Sequence, residues 1–351
     1  MTASWVALAA ALAVALCLAP EAAAQGKKFY GVSPQGPLVA DDFDRMRNGG
    51  VGTLRFQLTW AAVEPSAGSY EWAGTDAVIG NAAARGIRAL PFVVQPPNHV
   101  RTPPTRAGDR KAFNRLMSRL AGRYGPGGSY WQTDYLLDHP GASRLPVLAW
   151  QLFNEQNGRA YWGGKPRPRA YGRLVKAGAR GVRKQHRKAE VVLGGMFGTP
   201  SRKGAITSWR FLDRLYRVKG FKRAVDTVAV HPYGKNLKQI RVQMNRIRKV
   251  MRRNGDGGSR TRVTEIGWGS ARGGHPLNKG AKGQARMLRK SFRLLARERP
   301  RKRWNVRGLN WFSWQNGTAG CPFCGSSGLF KGGPDNRKAK RSWRAFKKIT
   351  R

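Results

Sequence analysis

Short apolar, β-branched or aromatic runs alternate with longer helical segments along the chain, and this alternation constrains the fold more than any other feature. Such an order favours parallel strands joined by crossover helices. The pattern predicts strands over residues 29–32, 51–57, 87–94, 147–153, 191–195, 226–230, 262–266 and 306–314. It predicts helices over residues 40–48, 75–85, 111–123, 169–186, 209–218, 237–253, 281–297 and 342–349.

Eight strand–helix units with no segment left over indicate an α/β fold, a closed eight-fold β/α (TIM) barrel. A doubly wound open sheet is the alternative, but no Gly-x-Gly-x-x-Gly turn follows the first predicted strand. No linker divides the 351-residue chain, so we expect a single barrel domain over residues 25–351. In such barrels the active residues lie at the C-terminal ends of the strands and in the loops after them.

The N-terminal segment has the features of an export signal. Residues 5–19 form an apolar run, Pro20 interrupts it, and the alanines at 22–24 supply the small residues that a signal peptidase requires. We therefore expect residues 1–24 to be removed and the protein to be secreted. No basic residue precedes the apolar run, so a retained N-terminal membrane anchor stays open as the alternative.

Two cysteines remain once Cys17 leaves with the signal segment, and they stand three residues apart at Cys321 and Cys324. Two thiolates cannot complete a tetrahedral zinc site, and no second cysteine pair exists. In an oxidising compartment the pair is expected to form a local disulfide within its glycine-rich loop. His186 and His275 have no spacing typical of metal ligands, so we expect neither a metal nor a cofactor.

The chain is strongly basic, with 66 Lys+Arg against 18 Asp+Glu and a formal net charge of +48. Basic residues are spread along the whole sequence, and no nucleic-acid-binding motif accompanies them, which argues against a nucleic-acid partner. An acidic polysaccharide or a cell surface stays open as an anionic partner, beside the simpler explanation of solvated helix faces. We expect a monomer.

Just two acidic residues are predicted to stand at the C-terminal ends of strands, Glu155 after strand four and Glu265 in strand seven. Glu190, in contrast, opens strand five, at the end of the barrel that serves stability. A pair of carboxylates facing one cavity can cleave a glycosidic bond, one as the acid and the other as an ionised group. The competing interpretation makes each glutamate a buried partner of an arginine such as Arg55.

At these positions the sequence resembles the retaining glycoside hydrolases of clan A, eight-fold barrels that include the family 5 cellulases and the family 39 glycosidases. The run from Trp60 to Trp72 is similar to the strand-two loop of the family-39-like members. The other elements follow in order at the ends of strands two, four, six, seven and eight: Arg55, Asn154 with Glu155, His231 with Tyr233, Glu265 and Trp314.

The resemblance implies a role for each matching residue. Glu155 would be the general acid/base and Glu265 the nucleophile. Asn154 would hydrogen-bond the 2-hydroxyl of the sugar, and His231 with Tyr233 would flank the nucleophile. Arg55 would keep the nucleophile ionised, and Trp314 would form the floor of the subsite that binds the scissile sugar. Gln156 departs from the family, which usually has proline after the glutamate.

Trp268, three residues after Glu265, is a further candidate for stacking on a sugar ring. Together these features predict a glycosidase that cleaves β-linked polysaccharides or oligosaccharides with retention. The hypothesis requires the two carboxyl carbons to lie about 5 to 5.5 Å apart, whereas an inverting enzyme would show roughly 6.5 to 9.5 Å. A catalytically silent carbohydrate- or cell-wall-binding barrel, and a transglycosylase with the same residues, are the alternatives.

Overall fold

The structure is a computed structural model that describes residues 28–198, 204–298, 302–317 and 321–351. The expected signal segment, residues 1–24, lies outside the described residues. Within the described residues, no helix is both long and apolar enough to cross a membrane.

Eight parallel strands close into a barrel, in which β1 pairs with both β2 and β8. Each strand lies beside its sequence neighbours all the way round, so the predicted TIM barrel is confirmed. The strands are β1 Tyr30–Ser33, β2 Thr53–Thr59, β3 Arg88–Val94, β4 Ala149–Asn154, β5 Glu190–Phe197, β6 Thr227–His231, β7 Arg260–Ile266 and β8 Val306–Phe312.

One principal helix follows each strand and carries its number. These helices are α1 Ala40–Asn48, α2 Ala73–Ala84, α3 Ala107–Tyr124, α4 Pro168–Gln185, α5 Ser208–Tyr216, α6 Leu237–Arg253, α7 Gly280–Ala296 and α8 Arg341–Thr350. Helix α3 begins four residues before its predicted start. The reason is local, because the Asp109 carboxylate accepts hydrogen bonds from the backbone N–H groups of Thr105 and Arg106 and caps the extra turn.

Smaller elements occupy the connections. Short helices are Trp60–Val63, Asp134–Asp138, Arg159–Trp162 and Phe221–Ala224, and single 3-10 turns are Ser129–Gln132, Cys324–Ser326 and Pro334–Asn336. After β8, the two short strands β9 Phe330–Lys331 and β10 Lys338–Ala339 pair in antiparallel fashion. The sequence pattern missed these elements because each is too short to show a periodicity.

The helices bury one apolar stripe each against the outside of the barrel. In α6 the buried positions Ile240, Met244, Ile247 and Met251 recur every three or four residues, as a helix that packs along one face requires. Burial of each such side chain contributes about 1.5–3 kcal/mol, so the stripes hold the helices on the barrel. The same spacing leaves the opposite face of α6 to charged residues.

At the N-terminal end of the barrel, a buried carboxylate joins three neighbouring strands. Glu190, the first residue of β5, accepts hydrogen bonds from Arg262 of β7 at 2.8 and 3.0 Å and from the Thr227 hydroxyl of β6 at 2.6 Å. Burial by itself would raise the pKa of Glu190, but the charge and hydrogen bonds of Arg262 outweigh it and lower that pKa to about 2. The position confirms that Glu190 belongs to the stabilising end of the barrel.

This cluster predicts a pH-dependent stability. A carboxylate with a lowered folded-state pKa stabilises the fold above pH 4.5, and its contribution disappears as the pH falls toward 2. We expect Glu190→Gln to lower the free energy of unfolding by on the order of 3 kcal/mol at pH 6, with the difference from wild type shrinking steadily toward pH 3. Urea denaturation across this pH range measures it, with the exposed Glu71→Gln as control. A difference that stays constant with pH would contradict the assignment.

Candidate active site

Arg55 lies inside the barrel, 1% exposed, and its guanidinium group joins three side chains from two other strands. Its Nε donates to Gln151 Oε1 at 2.6 Å and its Nη2 to Asn154 Oδ1 at 2.6 Å, both on β4. Its Nη1 donates to Glu265 Oε1 of β7 at 2.7 Å. The guanidinium carbon lies 3.9 Å from the centre of the Phe92 ring on β3. One residue of β2 therefore fixes the positions of groups on three further strands.

The Glu265 carboxylate is buried at the C-terminal end of β7 and both its oxygens are engaged. Oε1 accepts from Arg55, and Oε2 accepts from the Tyr233 hydroxyl at 2.8 Å and lies 3.6 Å from His231 Nδ1. Burial would raise the pKa of Glu265, but His231, Arg55 and the Tyr233 hydrogen bond together hold that pKa below its ordinary value. Glu265 is therefore an ionised carboxylate near neutral pH.

Glu155 directly follows β4 and has a more open environment than Glu265, with 24% of its side chain exposed against 9%. Its Oε1 lies 2.8 Å from His231 Nδ1, and His231 Nε2 lies 3.0 Å from the Thr264 hydroxyl. Within the described part of the chain, no other side chain is within hydrogen-bonding distance of the Glu155 carboxylate. An oxygen of Glu155 and one of Glu265 lie within 4.8 Å of each other.

The backbone that presents Glu155 is strained on both sides of Asn154. Phe153 has φ +78° and Glu155 has φ +42°, a region that residues other than glycine rarely adopt. The Glu155 N–H donates to the Gly195 carbonyl of β5 at 2.8 Å, and the Gln156 side chain donates to the Gly194 carbonyl at 3.1 Å. Gln156 thus fixes this turn to β5. It stands at the position where the family usually has proline.

Glu155, His231 and Glu265 together offer three potential metal ligands. Their surroundings disfavour a cation, because the positive Arg55 guanidinium lies 2.7 Å from Glu265 and the Tyr233 hydroxyl holds the second oxygen. The arrangement is better suited to holding two carboxylates in different environments than to binding a metal.

The aromatic predictions at this site need correction. Trp268 and Trp314 are both fully buried, so neither exposes a ring face to a sugar. Trp268 donates from Nε1 to the Gly234 carbonyl at 2.9 Å, and Trp314 donates to the Asp42 carboxylate of α1 at 2.9 Å. Strand β8 ends at Phe312, two residues before its predicted end, so the chain has already left the barrel mouth at Trp314.

Phe312 occupies the place that the sequence assigned to Trp314. It is the last residue of β8, it is half-buried, and its ring lies 6.2 Å from that of Tyr233 in an edge-on contact. Phe312 therefore lies next to the tyrosine that donates to Glu265. Its position as the terminal residue of a strand was the signal that could have identified it.

Tyr161 is a second residue that the sequence analysis missed. It lies in the short helix Arg159–Trp162, in the loop that Glu155 begins. Burial first, and then the negative charges of Glu265 and Glu155, raise the pKa of its hydroxyl, so Tyr161 is a neutral phenol beside both carboxylates. Its proximity depends on the path of the loop, which no periodicity in the sequence reveals.

Cys321 and Cys324 form the predicted disulfide, and the loop that it closes reaches the site. Phe323, between the two cysteines, is 7% exposed. Its ring lies 5.4 Å from Tyr233 and 6.4 Å from Phe312. The disulfide loop therefore forms a wall behind the tyrosine that donates to Glu265.

Solved structures of other proteins have the same fold. No protein-family model and no curated protein sequence matches the chain. Similar solved structures include a family 39 glycoside hydrolase from Bacteroides cellulosilyticus WH2, with a TM-score of 0.65, 20% identity, and coverage of 93% of this chain and 64% of that one. A GH5_18 protein from Streptomyces cattleya, in complex with Manb1-4GlcNAc, has a TM-score of 0.66, 14% identity, and coverage of 92% and 80%.

An intracellular xylanase from Thermoanaerobacterium saccharolyticum is also similar, with a TM-score of 0.59, 12% identity, and coverage of 91% of this chain and 94% of the xylanase. The likeness is one of fold, since every identity is low. The chain spans just under two thirds of the family 39 structure. The fold is therefore that of the family 39 and family 5 glycoside hydrolase barrels, as the resemblance in the sequence implied.

The ion pair between Arg55 and Glu265 predicts that Arg55→Met loses stability in a pH-dependent manner. The loss should be large because the variant leaves the Glu265 carboxylate buried without its cation. We expect the free energy of unfolding to fall by about 3–5 kcal/mol at pH 7. The loss should be smaller at pH 4, where the carboxylate of the variant takes up a proton. Urea denaturation measures both values.

The double variant Arg55→Met/Glu265→Gln is the matched control for this prediction. Because it removes the unpaired charge, it should be more stable at pH 7 than Arg55→Met alone. Equal stabilities of the single and double variants would show that the ion pair does not organise the site.

Proposed function

We propose that the protein is a retaining glycoside hydrolase that acts on a β-linked polysaccharide or oligosaccharide. The observation that carries this proposal is the pair Glu155, directly after β4, and Glu265, at the C-terminal end of β7, with oxygens within 4.8 Å of each other. Retaining enzymes keep their carboxyl groups about 5–5.5 Å apart, whereas inverting enzymes leave about 6.5–9.5 Å for a water molecule. The short separation supports direct attack by one carboxylate.

Glu265 is assigned as the nucleophile because its partners keep it ionised and oriented. Arg55 and Tyr233 each donate to one of its oxygens, and its pKa is lowered despite burial. In the first step a Glu265 oxygen attacks the anomeric carbon, and the bond from that carbon to the leaving oxygen breaks. A covalent glycosyl-enzyme ester results.

Glu155 is assigned as the acid/base. It is the more exposed of the two carboxyl groups, and His231 holds it at 2.8 Å. In the first step its proton passes to the departing oxygen. In the second step Glu155 takes a proton from water, whose oxygen attacks the anomeric carbon and releases Glu265, so that the configuration is retained overall.

Asn154 supports a sugar as the bound group. Its carbonyl oxygen accepts from Arg55, which fixes the direction of the amide. Its amide nitrogen Nδ2 is buried and makes no hydrogen bond of normal geometry, and the Tyr161 hydroxyl is the described group that it approaches. A buried donor with so weak a partner costs free energy, which an acceptor on a ligand would recover. The 2-hydroxyl of a sugar bound above Glu265 would be that acceptor.

Phe312 takes the role that the sequence assigned to Trp314, as the aromatic ring available for contact with the apolar face of the sugar. A chain of β-linked sugars agrees with the neighbours, one of which is a xylanase and another a GH5_18 protein bound to Manb1-4GlcNAc. An acidic sugar is included in the proposal because the protein is so basic. We further propose that the mature protein is a secreted monomer that begins at residue 25.

The first experiment compares wild type with Glu155→Ala and Glu265→Ala on neutral and acidic β-linked polysaccharides, and measures new reducing ends. We expect wild type to release them and each variant to lose on the order of 10²–10⁴-fold in rate. The exposed Glu71→Gln is the control for general effects of charge. Binding without hydrolysis by wild type would favour the silent carbohydrate-binding alternative, and transfer to added sugars would favour the transglycosylase.

Rescue by azide distinguishes the acid/base from the nucleophile. In Glu155→Ala the intermediate still forms on Glu265, so azide should restore turnover and give the β-glycosyl azide. In Glu265→Ala azide attacks the substrate itself and should give the α-glycosyl azide. Proton NMR of the products distinguishes the two anomers, and the opposite pairing of variant and anomer would reverse the assignment.

The contact between Phe323 and Tyr233 predicts a change in the pH profile. Phe323→Ala removes the wall behind Tyr233 and weakens its hydrogen bond to Glu265, which should raise the pKa of that carboxyl group. We expect kcat to fall by about tenfold and the acidic limb of kcat/KM to move to higher pH. Phe323→Leu, which keeps an apolar wall, should lose less. An unchanged acidic limb would show that Phe323 has no influence on the nucleophile.

A further inference from the structure

Three consecutive helices on one side of the barrel contain no acidic residue. Helices α6, α7 and α8 follow neighbouring strands, and none of them has an Asp or Glu. Helix α1, by contrast, has Asp41, Asp42 and Asp44. The positive charge of the protein is therefore distributed unevenly, and we call the outer surface of α6, α7 and α8 the basic face.

The basic face is exposed and almost unpaired. In the described residues, the one ion pair formed by a Lys or Arg of these helices joins Arg253 to Asp213 of α5. The exposed cations of this face, including Arg297 directly after α7, are Lys238, Arg241, Arg246, Lys249, Arg252, Arg253, Lys282, Arg286, Lys290, Arg293, Arg297, Arg341, Arg344 and Lys348. Like charges at this density repel one another, and a bound polyanion would remove that repulsion.

A groove of about 210 Å³ lies between α6 and α7 on the basic face. Leu237 and Leu294 supply its apolar surface, and four cations line it: Arg241, Lys290, Arg293 and Arg297. The groove is smaller than the roughly 300–1,000 Å³ of a typical small-molecule pocket, so it suits one unit of a longer chain. Leucine side chains can contact the apolar face of a sugar ring, while arginine forks pair with carboxylates.

We propose that the α6–α7 groove is a second carbohydrate-binding site, separate from the cleft, for a polysaccharide that carries carboxylate groups. Leu237, the first residue of α6, stands four residues after Tyr233 of the candidate active site. The α6 side of the groove therefore begins close in sequence to the candidate active site, while its α7 side is formed by the last turns of that helix and the residue after it.

The surface chemistry favours a polysaccharide over two other polyanions. Single-stranded nucleic acids bind through exposed aromatic rings, but Phe292, Trp343 and Phe346 of these helices are buried. Membrane-surface helices insert large apolar side chains, and of these helices' described residues Val242 is the single exposed large hydrophobic one. The choice of a polysaccharide as the ligand rests on the proposed function. Binding of that ligand in the groove does not itself require the protein to be catalytically active.

The test measures binding of β-1,4-linked polymannuronate oligomers to Glu265→Gln protein by calorimetry, so that hydrolysis does not interfere. The groove variant is Arg241→Glu/Lys290→Glu/Arg293→Glu. Its matched control is Arg173→Glu/Arg180→Glu/Lys184→Glu on α4, another helix without acidic residues, which makes the same change in net charge. Circular dichroism and thermal unfolding confirm that both variants fold.

We expect the groove variant to bind at least about tenfold more weakly than its parent, and the α4 variant to lose less than about threefold. Methyl-esterified polymannuronate, which lacks the charges, should bind weakly to every variant. Equal losses in the two triple variants would overturn the proposal, because net charge alone would then explain binding. Equal or tighter groove-dependent binding of single-stranded DNA or anionic vesicles would overturn the assignment to a polysaccharide.

Failure of this inference is distinguishable from failure of the proposed function. The groove variant, made in the wild-type background, should hydrolyse a short soluble substrate as well as wild type does. A protein that binds through the groove but hydrolyses nothing contradicts the glycosidase proposal and leaves the second site standing. Hydrolysis with no groove-dependent binding contradicts the second site alone.

Discussion

The buried guanidinium group of Arg55 is the interaction on which the site depends. A cation 1% exposed is unfavourable unless it is paired and hydrogen-bonded, and here Gln151 and Asn154 of β4 and Glu265 of β7 each accept one hydrogen bond from it. The Glu265 carboxylate likewise needs Arg55, because a buried negative charge is as costly without a cation. The two residues therefore depend on each other, and the barrel must close in the register that brings them together.

Much of this arrangement could be predicted from the sequence, because it follows from periodicity. The eight strands and eight helices repeat a pattern, and strand ends in a barrel meet at one face, so Glu155 and Glu265 could be brought together from their positions alone. The position of Arg55 in strand two also made it a candidate, whereas Asn154, His231 and Tyr233 came from the resemblance to clan A; the structure brings all four to one cluster.

The aromatic residues could not be predicted, since their orientation depends on where a strand stops and how the following loop turns. Trp314 lies two residues beyond the end of β8 and packs against Trp343 of α8, while Phe312 remains at the mouth. Tyr161 and Phe323 reach the site through loops whose paths depend on tertiary contacts, the latter through the disulfide that closes its loop.

The strained turn around Glu155 has a consequence for the evolution of such a protein. A glutamate at φ +42° costs about 1–3 kcal/mol relative to a residue that adopts this conformation freely, so the backbone at this position favours glycine. The contact with His231 is the interaction of the glutamate that offsets part of this cost. Catalysis and stability pull in opposite directions at position 155, and stability alone would not retain a glutamate there.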